Sequence, residues 1–125
     1  MSEATTAINK QQYDVAVDKL QQARQVFNQL SNFYVQLSES FSGIENRIAQ
    51  GQREKALETG QKRDDATYQL ALVHRAQNKS ELSVPLLIQI IRSQNPTSEL
   101  GKKAYQQLFE IGFVEDSYST SNSSR

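Results

Sequence analysis

Few side chains in this chain are suited to chemistry. They are one histidine, His74, an adjacent acid pair, Asp64 and Asp65, and a basic run of Arg47, Arg53, Lys55, Lys62 and Arg63. His74 as a general base or metal ligand would need carboxylates at helical spacing, and none is spaced around it, so it reads as a packed helix residue. Neighbouring aspartates at a helix start point apart, so Asp64 and Asp65 read as capping groups rather than an acid–base couple. Glu45, Glu54 and Glu58 interleave with the basic run, as on a solvated, salt-bridged helix face rather than a phosphate-binding one.

The sequence holds no glycine-rich phosphate loop, no HExxH pair and no GxSxG elbow, and its cysteine count is zero. A non-enzymatic protein with no cofactor and no metal site is therefore expected. In 125 residues, 14 basic and 14 acidic side chains balance, so no global field draws the chain to nucleic acid or an anionic membrane. The first twenty residues lack the apolar core of a secretory signal and no stretch reaches membrane-spanning length, which predicts a soluble, cytoplasmic protein without membrane insertion. The sequons at Asn78 and Asn122 then read as chance matches.

Positioning these groups falls to helices. From Tyr13 the apolar residues step by three and four through Val17, Leu20, Phe27, Leu30, Tyr34, Leu37, Phe41, Ile44 and Ile48, one face of an amphipathic helix. Arg24 interrupts that stripe and its phase slips between Phe27 and Leu30, so it is not a regular coiled-coil seam. Ser38, Ser40, Ser42 and Gly43 mark a stop or bend, leaving residues 8–59 as one kinked helix or as two.

Beyond Gly60, three further helices are expected at 64–77, 81–94 and 98–111. Asp64 and Asp65 would cap the first and Asn78 end it. Ser83, favoured over Ser80 by Pro85, would cap the second, whose apolar run from Val84 to Ile91 makes it the central, most buried element. Pro96 takes Asn95 out of helical geometry, Thr97 or Ser98 caps the last helix, and Gly112 ends it. Leu100, Ala104, Leu108 and Ile111 form the inward stripe of that helix. The whole reads as one all-α domain of antiparallel hairpins over residues 8–112, with a long amphipathic N-terminal segment, a flexible N-terminus at 1–7 and a disordered polar tail at 113–125.

The stretch DDATYQLALVHRAQNKSELSVPLLIQIIRSQNP resembles a tetratricopeptide repeat, with Leu70 and Ala71 at the large-then-small pair, a polar turn and a closing proline. A fainter copy, with Phe33, Leu37, Ala49 and Ala56 at the matching positions, precedes it, and Ser98 to Ile111 resembles the helix that closes such arrays. Thr67, His74 and Ser83 stand where the family usually has Trp, Tyr and Ala. The resemblance implies a protein-binding adaptor whose groove maps to Asp65, Tyr68, Leu72 and Arg75.

Two functions follow. One is that adaptor, holding a protein or peptide segment. The other is a structural subunit that joins a second copy or a larger complex through the stripe Phe27, Leu30, Tyr34, Leu37 and Phe41, should the C-terminal hairpin leave it uncovered.

Overall fold

The computed structural model describes residues 12–117. They form four α-helices, α1 (Tyr13–Phe41), α2 (Asn46–Ala76), α3 (Ser80–Gln94) and α4 (Glu99–Ile111), with no strand among the described residues. Each helix packs on the next in the chain, as successive antiparallel hairpins. Among these residues no helix is long and apolar enough to cross a membrane.

The N-terminal segment is two helices. Gly43 adopts φ +81°, a left-handed conformation that costs glycine little, and its N–H donates to Asn46 Oδ1 at 2.9 Å. The chain reverses there and α2 returns along α1.

The helix expected to start at Asp64 instead begins at Asn46 and runs through Gly60. Gly60 is buried within the helix facing α1, where a Cβ would stand in ordinary contact, 3.6 Å from Ser31 Oγ and the Arg63 guanidinium. Asp64 and Asp65 lie in the helix interior and cap nothing. The 31 residues of α2 thus serve two layers. On one side Leu70 and Val73 meet Ala16 and Leu20 of α1; on the other Ala71 meets Leu87 and Ile90 of α3 and Ala104 and Leu108 of α4. Leu86 packs against both clusters and joins them.

α3 starts at Ser80 with no side-chain cap, and Ser83 is not its cap but a buried residue whose hydroxyl donates to the Ala71 carbonyl at 2.7 Å. Pro85 lies inside the helix on the exposed flank. Nor is α3 buried all round: Leu87 and Ile90 are enclosed while Leu82 and Ile88 stay exposed, because α2 and α4 cover two sides and leave the flanks open. The most buried helix is α2, which packs along both α1 and α3.

The corners follow the stop residues. Asn78 (φ 61°), Asn95 (φ 67°) and Gly112 (φ 92°) are all left-handed, and Ser98 caps α4 by accepting from the Gly101 N–H at 2.9 Å. Part of the expected tail is ordered: Val114 packs on the α3–α4 cluster and the Tyr105 hydroxyl donates to the Asp116 carbonyl at 2.6 Å. Residues 1–7 and 118–125 lie outside the described residues.

Candidate functional site: an apolar row on an uncovered hairpin

α3 reaches α2 at Asp64, through Ser93 and Gln94, and there the chain turns away into α4. The α1–α2 hairpin continues roughly 27 Å further, at 1.5 Å per residue, back to Asn46. Along that projection α1 and α2, among the described residues, pack only on each other.

They meet through small side chains. Ser31 and Ser38 of α1 and Ala49, Ala56, Thr59 and Gly60 of α2 are the buried residues, and Ser31 Oγ donates to the Ala56 carbonyl at 3.0 Å. Arg53 Nη1 donates to Ser38 Oγ at 3.2 Å. Small residues bring the two backbones close, which leaves less room between them for large side chains.

The larger ones are therefore divided between two surfaces. Phe27, Tyr34 and Phe41, spaced by seven, sit half-buried at the α1–α2 seam, where Lys62 and Lys55 lie 6.0 Å from the Phe27 and Tyr34 ring centres. Leu30 and Leu37 do not share that face. With Val26 and Phe33 they form a separate row with steps of four, three and four, and these four residues are 37–53 % exposed. The stripe expected from the sequence is thus two rows roughly one residue out of phase.

At 100° per residue, this outer row lies about 170° from Arg24, whose guanidinium reaches Gln89 of α3, and Asn28, which accepts from Arg63 of α2. It faces away from the other described helices. Gln22, Gln29 and Gln36, also spaced by seven and exposed, line its outer edge with uncharged donors and acceptors. The result is an apolar row with a neutral polar margin, on a helix already paired on another face.

The residues expected to line a groove are placed differently. Tyr68 and Arg75 are turned toward α4, where Arg75 Nη1 donates to Gln107 Oε1 and to Glu110 Oε1, both at 2.7 Å. Burial pushes the Tyr68 phenol above its ordinary range, partly offset by a hydrogen bond with Gln107. Asp65 is half-buried, with Gln61 Nε2 at 3.4 Å, and Leu72, two turns on, is half-buried as well. The structure brings Tyr68 and Arg75 together, but as a clasp between α2 and α4. His74 is buried, its Nδ1 3.1 Å from Gln77 Oε1 one turn on.

The clasp carries a pH signature. Hydrogen bonds from Arg75, then from Gln106, hold the Glu110 carboxyl below its ordinary range. A depressed folded pKa contributes stability above the unfolded value, about 4.3, that is lost as pH falls through the folded value. In an Arg75→Ala chain the Glu110 carboxyl should titrate at higher pH than in the parent, read by carbon-detected NMR; an unchanged midpoint would remove Arg75 as the cause.

Sequence reasoning did not single out Arg24 and Asp64 as bridging residues. Arg24, the residue that breaks the apolar stripe, donates from Nε to Thr67 Oγ1 at 2.9 Å and from Nη2 to Gln89 Oε1 at 2.9 Å, linking three helices. Its position as an arginine inside an apolar period was the signal available. No protein-family model, curated protein or solved structure matches the chain.

Proposed function

We propose that this protein is a non-enzymatic helical interaction module, cytoplasmic as its composition suggests, that docks a helix of a protein partner along Val26, Leu30, Phe33 and Leu37. The observation that carries the reading is the exposure of this heptad-spaced row on a hairpin that, among the described residues, no other helix covers. Apolar side chains repeating at three and four residues are what a partner helix needs for knobs-into-holes packing. The resemblance of residues 64–111 to a tetratricopeptide hairpin belongs to the same proposal, supported by the burial of Leu70 and Ala71 toward opposite neighbours. The docking surface assigned is nevertheless the hairpin row, since Tyr68 and Arg75 are engaged with α4.

A second reading, a structural subunit in which the partner helix belongs to another copy, draws on the glutamine margin. In an antiparallel pair of α1 helices, Val26 would face Leu37 and Leu30 would face Phe33, with glutamine rows meeting and no like charges opposed along that edge.

Leu30→Glu with Phe33→Glu tests both readings. Both side chains are substantially exposed, so the melting midpoint should stay within about 2 °C of the parent, in line with the small effects of surface substitutions. Partner capture should be lost, whereas Tyr68→Ala with Arg75→Ala should retain it. Capture that survives the glutamates removes the row as the docking surface. Light scattering on the parent chain separates the readings: a concentration-dependent dimer abolished by the glutamates supports self-association, and a monomer at high concentration leaves the foreign helix.

A further inference from the structure

On the opposite side of the hairpin from the apolar row, α1 and α3 do not close on each other. Between them run two adjoining open cavities of about 770 and 330 Å3, which share Asn28, Arg63 and Gln89 as walls. Three arginines line this cleft, one from each of three helices: Arg24 of α1, Arg63 of α2 and Arg92 of α3. The only acid lining it is Asp64.

That carboxylate is already committed. Asp64 accepts from Arg63 at 3.0 and 3.2 Å, from Ser93 Oγ at 2.6 Å and from Gln94 Nε2 at 2.7 Å. Arg24 has no comparable partner: Thr67, Gln21 and Gln89, the acceptors of its three hydrogen bonds, are all neutral. Burial first, and Arg63 second, weigh against its charge, and Asp64 offsets part of this. A guanidinium carries five N–H groups, so three bonds leave one N–H on each Nη for a ligand. Arg92 is exposed on the rim of the larger cavity. Three guanidiniums against one carboxylate leave a formal local excess of two positive charges in a chain whose net charge is zero.

We propose that this cleft binds a phosphomonoester carrying an apolar group, independently of the helix-docking row. A dianionic phosphate matches the local excess of two, and its terminal oxygens suit the fork geometry of Arg24 and Arg92. The amides of Asn28 and Gln89 line the same space and add donors. Pro85, Leu86 and Ile88 form the wall beside them on α3, a surface for the ligand's apolar part. Ile88 is 36 % exposed, so that wall is open to a ligand in the unbound chain.

Phenyl phosphate is the probe, titrated into the full chain by calorimetry at constant ionic strength, with NMR detection of the arginine Nε–H signals. The expected result is saturable one-to-one binding, with shifts concentrated at Arg24, Arg92 and the backbone of residues 85–93. Arg92→Gln, on the exposed rim, should weaken binding about tenfold without changing the fold, and Arg24→Gln should do at least as much, the loss of one charge-assisted pair. Arg47→Gln, on the projecting hairpin away from the cleft, should change nothing. Shifts spread over all basic residues, or full affinity in Arg92→Gln, overturn the site. Benzoate binding as tightly as phenyl phosphate overturns the dianion assignment, and inorganic phosphate binding as tightly overturns the role of the apolar wall.

Discussion

Asp64→Ala should lower the unfolding free energy by about 3 kcal/mol, while Asp65→Ala, one residue on, should cost less than about 0.5 kcal/mol. Asp64 is 1 % exposed and its carboxylate accepts four hydrogen bonds, two from Arg63 and two that tie α2 to Ser93 and Gln94 at the end of α3. Removing it strands the Arg63 guanidinium, which keeps Asn28 and Ser93 but loses its counter-charge. Breaking a fully buried pair costs about 3–5 kcal/mol; Arg63 retains 25 % side-chain exposure, which places the loss at the low end. Asp65 is half-buried with one long contact from Gln61. Urea unfolding followed by circular dichroism measures both chains, and equal effects from the two substitutions would refute the distinction.

A second large effect is expected at Gly101. It lies buried in the first turn of α4, and a Cβ there would collide with the Asn95 carbonyl oxygen and stand 2.8 Å from Ser98 Oγ. Neither atom is free to yield. The Asn95 carbonyl accepts from Ser98 Oγ at 2.9 Å, the Asn95 side chain accepts from Thr97 at 2.9 and 3.2 Å, and Pro96 restricts the residue before it. Ser98 Oγ is also the cap for the Gly101 N–H. Gly101→Ala therefore combines overpacking against backbone with loss of the α4 cap, together about 3 kcal/mol and roughly 10 °C in midpoint. The usual preference for alanine over glycine inside a helix has the opposite sign and is about 1 kcal/mol, so a neutral or stabilised variant would show that the corner relaxes freely.

These two positions also show where the sequence was readable. The ends of α2, α3 and α4 could be read because Asn78 and Gly112 tolerate left-handed backbone and Pro96 takes Asn95 out of helical geometry, each acting locally. The Ser98 cap and the Ala104–Leu108 stripe were legible for the same reason: their partners lie within a few residues or repeat at the helical period.

Asp64 was misread because its partners, Ser93 and Gln94, stand about thirty residues away. Without them, a glycine followed by two aspartates looks like a helix boundary. The candidate stripe was misread differently. Phe27, Tyr34 and Phe41 and the row through Leu30 and Leu37 are offset by three or four residues at every step, so one list of spacings satisfied both. Only the placement of Ser31 and Ser38 at the seam shows which row turns inward, and serines carry no apolar signal. Nothing in the period indicated that Tyr68 and Arg75 would be used by α4, since Gln107 and Glu110 read as ordinary surface residues.

The small side chains between α1 and α2 also bear on how the molecule opens. Near the chain's body the hairpin is held by the fully buried Leu20, Leu70 and Val73, whereas toward Gly43 its fully buried residues are serine, alanine, threonine and glycine, with Tyr34 and Phe41 only half-buried beside them, so less apolar area is buried per turn. Cooperative opening follows such gradients, so the tip forms a unit of low local free energy that unzips from Gly43 while the layers around Leu70 and Ile90 stay closed. A helix docked on Val26 to Leu37 would add its contacts to this weaker unit, and part of its binding energy would go into slowing amide exchange there. The far end of the hairpin is then a region whose order depends on occupancy, set on a scaffold whose order does not.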